Sequence, residues 1–180
     1  MPALVGSSGP GAAPPENRFT RFVRGVVCAS GADVLAVAHL TGATVGEGWG
    51  ASGGLLYGIG GMIGLSTQKV ADPAGNVAFA FTLNLGSTGF GFGAIAGKQV
   101  SVSNSKNVSK LRGFSLAGDV TFGSGPAGDV AVSGSFSHFT GDPGWGPWNV
   151  TVTAGLGAGI KTGAGAFNFT FLPLTVNCGG

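Results

Sequence analysis

The sequence predicts an all-β protein, an antiparallel up-and-down β-barrel of about eight glycine-rich strands with a short N-terminal amphipathic helix. Strict alternation over residues 149–160 and 166–171 is the first reason. Val150, Val152, Ala154, Leu156, Ala158 and Ile160 fall on one parity, and Thr151, Thr153, Gly155, Gly157 and Gly159 on the other. Phe167, Phe169 and Phe171 then oppose Ala166, Asn168 and Thr170. Successive side chains of a strand point to opposite faces, so each strand has a bulky apolar face and a small, weakly polar one. Turn chemistry is the second reason: DPAGN at 72–76, GSGPAGD at 123–129, GDPGWG at 141–146 and KTGAG at 161–165 separate the alternating runs. Hairpins without helical crossovers make a meander, and closure removes its exposed edges.

Composition narrows the class. Charged residues are only 9% of the 180, against about 25% in an average soluble domain. With 37 glycines and a mean hydropathy of +0.39, the chain is neither hydrophilic disorder nor collagen. A formal charge of +2, with no basic stripe interleaved with aromatics, argues against nucleic acid. No apolar run reaches the length of a transmembrane helix, and the opening MPALVGSSGPGAAPPE has no Sec-type signal pattern.

Taken in order, residues 1–16 read as a flexible Gly/Pro/Ala-rich lead, 17–47 as a helical and linking segment, and 48–180 as the barrel. In NRFTRFVRGVV, Phe19, Phe22, Val23 and Val26 recur at helical spacing while Arg18, Arg21 and Arg24 step round the other side. Such a basic amphipathic helix either lies on anionic lipid headgroups or packs on its own barrel. DVLAVAHL after it reads as a second short helix or a strand. Two strands joined near Gly60-Gly61 fit the uncharged stretch 48–66. Val77, Phe79, Phe81, Leu83 and Leu85 then alternate with small residues, and further strands begin near Phe90, Phe114 and Val130. Cys28 and Cys178 flank nearly the whole patterned region. A bridge between them would be worth about 4–5 kcal/mol by loop entropy; two buried thiols are the alternative.

Chemistry-bearing groups are sparse. The seven acids sit mostly in turns, His39 and His138 have no partner at metal-ligand spacing, and no P-loop, GxSxG or HExxH occurs. The glycines at 58–64 miss the dinucleotide fingerprint by one place and lack its strand–loop–helix setting. The expectation is no enzyme, no cofactor, no metal and no small-molecule substrate.

Function therefore turns on which face points inward. An inward Phe/Val/Leu face makes a soluble barrel that binds a small apolar ligand. An outward one, carried by Phe79, Phe81, Leu83, Val150, Val152, Leu156, Phe167, Phe169 and Phe171, meets lipid or copies of the same chain. The runs KQVSVSNSKNVSKLRGFSLAGDVTFGSG, GDVAVSGSF and VTVTAGLGAGIKTGAG resemble the glycine-rich β-domains of bacterial RHS-repeat and polymorphic toxin-like secreted proteins. That resemblance implies a module of interbacterial delivery, bacterial and secreted or membrane-associated. The leading expectation is a membrane-inserting or pore-forming barrel with Arg18, Arg21 and Arg24 at the headgroups. A self-assembling structural or adhesive protein is the alternative.

Overall fold

Alternation in this chain runs further than single hairpins require, and so do its strands. A computed structural model describes residues 17–123, 130–139 and 147–179. Two helices, α1 (Arg18–Ser30) and α2 (Ala32–Thr41), precede β1 (Thr44–Ala71), β2 (Asn76–Ser103), β3 (Gly113–Gly123), β4 (Val130–Phe139) and β5 (Trp148–Asn177). A 3₁₀ turn, Val108–Leu111, lies between β2 and β3. The predicted lead at 1–16 and the turn signals at 124–129 and 141–146 lie outside the described residues.

Among the described residues the structure is mostly antiparallel sheet arranged in a ring, with the two short helices beside it. Strand order is β1-β2-β5-β3-β4, with β4 also pairing with β5. This corrects the up-and-down order: β3 follows β2 in the chain, yet β2 pairs with β5 from Asn76↔Asn177 to Ser103↔Asn149. Local turn chemistry reports only neighbouring strands. The polar connection after Ser103 leaves the second edge of β2 open, and the Phe-rich β5 takes it.

The three long strands double back. A Cβ on Gly48 would meet the backbone of Thr67, and one on Gly54 the backbone of Gly61, so the two halves of β1 lie side by side. β3 pairs with the second half of β5 (Phe122↔Ile160 to Gly113↔Thr170), β4 pairs with the first half (Val130↔Leu156 to His138↔Trp148), and β3 pairs with β4. A straight β5 would not allow all three. The folds carry Gly58, Gly86 and Gly159 at φ of +76°, +67° and +83°, a region that a side chain makes costly. The turn expected at Gly60-Gly61 is thus a fold within a continuous strand, and the strand expected to begin near Phe90 is the second half of β2. KTGAG is likewise part of β5 and not a surface turn.

These folds form one end of the molecule, the crest end. The helices, the β1–β2 turn at 72–75 and the 3₁₀ turn gather at the other. Asp72, fully buried, holds that end together: its carboxylate accepts from the N–H groups of Ala74 and Asn76 (both 3.0 Å) and of Val108 (2.9 Å). DVLAVAHL is helical, not extended. Val34 and Ala38 of α2, with Val27 of α1, pack on Val45, Ala71 and Val77. Burying each Val here contributes roughly 1.5–3 kcal/mol. Cys28 and Cys178 form a disulfide that fastens α1 to the end of β5.

Candidate functional site

The apolar parity faces outward. Leu156 is 68% exposed, Phe171 52%, Phe167 51%, Val152 48%, and Phe81, Phe169 and Val150 lie close behind. Leu55, Tyr57, Ile59, Phe90, Phe92, Phe122 and Ile160 extend the same surface to the crest end. Two predicted residues differ. Phe79 is half-buried against the helix cluster, because α1 and α2 cover that part of β2, and Leu83 is half-buried beside an open apolar groove. That groove, about 760 Å³, runs across Ala51, Gly53, Leu65, Ala94 and Leu156.

The opposite parity is enclosed and mostly polar. Gln68 donates to Gln99 Oε1 (3.1 Å), Gln99 Nε2 donates to Thr153 Oγ1 (3.0 Å), and Ser101 Oγ donates to Gln68 Oε1 (2.8 Å). The hydroxyls of Thr82 and Thr170 lie 3.0 Å apart. Nearer the crest end, Lys161 Nζ stands 2.7 Å from Asp119 Oδ2 and 2.9 Å from Met62 Sδ, with Lys161 only 1% exposed. Leu56, Met62, Ala117 and Ala166 cluster on one side of this polar layer. Val70, Ala78, Ala80, Val108 and Leu111 cluster on the other. Among the described residues the polar layer holds cavities of about 60 and 50 Å³, each large enough for water. The interior behind the small, weakly polar strand face is therefore filled. Side chains as long as Gln and Lys project into it.

Alternation marks the ion pair in hindsight. Lys161 is out of phase with outward Ile160, and Asp119 is out of phase with outward Val120. Reading Lys161 as a turn residue hid that signal.

Arg18, Arg21 and Arg24 are all exposed on α1, which Asn17 caps by accepting from the Thr20 N–H at 2.7 Å. Only Val27 of α1 is fully buried, with Val23 half-buried, so Phe19 (75% exposed) and Phe22 (68%) stand uncovered beside the arginines. No single helix is long and apolar enough to cross a membrane; α1 and α2 together form a pair bent by 63°. Lys69 joins α2 to β1, with its Nζ 2.7 Å from Asp33 Oδ2 and 3.8 Å from Glu47 Oε2. The Lys69 ammonium, through this hydrogen bond, holds the Asp33 carboxyl below its ordinary value. Among the described residues, no group of three His, Cys, Asp or Glu converges as a metal site would.

Set against known proteins, the chain matches no family, no characterised protein and no solved structure.

Proposed function

We propose that this protein is a non-enzymatic β-barrel that inserts into a membrane and meets acyl chains with its Phe/Val/Leu face. The two halves each of β1, β2 and β5, together with β3 and β4, would make the eight segments of the barrel. One observation carries the reading: bulky apolar side chains point out, and Gln, Asn, Thr, Ser and an ion pair point in. Water rewards the reverse arrangement, because exposed apolar area is costly and buried polar groups need partners. Hydrocarbon rewards this one, provided the closed sheet satisfies every backbone group internally.

Dimensions support it. Strand stretches such as 50–58 and 89–97 approach the 9–11 residues that cross a bilayer when tilted. Trp49 (61% exposed) and Tyr57 (88%) stand outward near opposite ends of the first half of β1, as interfacial aromatics do. With so full an interior, one chain would anchor in lipid without conducting; a pore would need several copies around a shared axis. A secreted, membrane-associated bacterial module, as in toxin-like delivery proteins, is the setting proposed.

Flotation of the purified chain with liposomes, read beside dye release, tests this. Co-flotation is expected. A folded chain that stays at the bottom of the gradient would overturn the membrane reading. In that case a defined oligomer in the same fractions would support the self-assembling alternative, and a monomer the soluble ligand-binding one.

A further inference from the structure

Among the described residues, charge gathers toward one end of the molecule. Over 51–67, 81–97, 113–123 and 148–177 the charged side chains are Lys161 and Asp119, and these two face each other inside the sheet. All other Lys and Arg side chains belong to the helical end or the half of the sheet nearest it. Arg18, Arg21 and Arg24 lie on α1, Lys69 and Lys98 on the strands, and Lys106, Lys110 and Arg112 around the 3₁₀ turn. Except for Lys69, these basic side chains are exposed. Of the described acids at this end, Asp33 and Glu47 both stand at Lys69, and Asp72 is buried in backbone hydrogen bonds.

The basic loop is a fixed part of this end. Thr44 N–H and Oγ1–H both donate to the Ser105 carbonyl (3.2 and 2.7 Å), the Trp148 N–H donates to Asn104 Oδ1 (2.9 Å), and the Val108 N–H donates to Asp72. Lys106, Lys110 and Arg112 are therefore held as a rim on the same end as the arginines of α1. The opposite crests, at Gly58-Ile59-Gly60 and around Gly86 and Gly159, present glycine, apolar side chains and the Thr88 hydroxyl, with no charge among the described residues.

We infer that insertion is one-way: the crests at Gly58-Ile59-Gly60, Gly86 and Gly159 enter the bilayer first, and the basic rim stays seated on anionic lipid headgroups of the leaflet of entry. The inference rests on the membrane reading and adds partner chemistry and direction to it. Carrying several cations across hydrocarbon is expensive, whereas glycine and apolar crests cross without that cost. Each basic residue near an anionic surface strengthens binding by roughly fivefold, and salt screens the effect.

The test uses the whole chain, with vesicles of phosphatidylcholine alone or with phosphatidylglycerol added. Partitioning is expected to be at least about tenfold stronger on the anionic vesicles, to weaken with salt, and to lose most of that gain in Lys106→Glu/Arg112→Glu. The salt series on the unaltered chain is a second reading that needs no variant to fold. A dye on Ile59→Cys should be protected from a membrane-impermeant quencher outside the vesicle, and one on Lys106→Cys should be quenched. Equal binding to both vesicles, or quenching of the Ile59 position, overturns the inference and leaves the membrane reading standing. Binding to neither vesicle overturns both.

Discussion

Lys161 and Asp119 face each other inside the sheet at 2.7 Å, with 1% and 9% of their side chains exposed. Removing one partner strands a buried charge, which typically costs about 3–5 kcal/mol. Lys161→Met should therefore unfold at markedly lower denaturant, whereas Lys161→Met/Asp119→Leu should recover much of the loss. Denaturant titrations of the three proteins check this. Equal loss in single and double variants would mean that shape rather than charge sets the cost.

Neighbouring residues on β5 separate the two faces. Phe169 is outward and Thr170 is 5% exposed, with its hydroxyl against Thr82. Phe169→Asp should keep native circular dichroism but lose liposome binding. Thr170→Asp should destabilise the fold by about 1–3 kcal/mol or more, since its charge is buried without a partner. Melting temperature and flotation, measured on both, read the contrast.

The disulfide closes a loop of 150 residues between Cys28 and Cys178. Loop entropy assigns it about 4–5 kcal/mol. Cys28→Ser/Cys178→Ser should lower the unfolding free energy by up to that amount and raise hydrogen exchange in α1 before the strands, because α1 touches the sheet mainly through Val23, Val27 and this bond. Exchange mass spectrometry, run with and without reductant, shows the order.

Asp33 and Lys69 give a pH dependence of known sign. The hydrogen bond from Lys69 depresses the folded Asp33 carboxyl below its ordinary 3.8. Its contribution is present above that value and is lost as pH falls through the depressed one. The effect on stability is small, because both groups are partly exposed. By carboxyl NMR titration, Lys69→Met should move Asp33 upward, toward the ordinary carboxylate range.

Much of this architecture is legible along the chain and little of it across. The parity of Val150, Val152, Phe167 and Phe169 identifies two faces, because strand geometry makes side chains alternate whatever surrounds them. It does not say which face is inside, since either a Phe/Val set or a Gln/Thr/Ser set can fill an interior. Gln68, Gln99 and Ser101 settle that only through contacts between strands more than thirty residues apart. The pairing of β2 with β5 is equally non-local and leaves no turn signal. The helix-borne arginines and the distant cysteines are visible as residues, but the uncovered Phe19 and Phe22 depend on where α1 docks.

The central claim is that the apolar parity meets lipid. Nitroxide labels placed singly at Val150, Thr151, Val152 and Thr153 in liposome-bound protein test it most directly, with oxygen and a water-soluble relaxation agent as collision partners. The account predicts a period of two: high oxygen and low aqueous collision at Val150 and Val152, and low collision with both at Thr151 and Thr153. Free aqueous collision at Val150 and Val152 would contradict it.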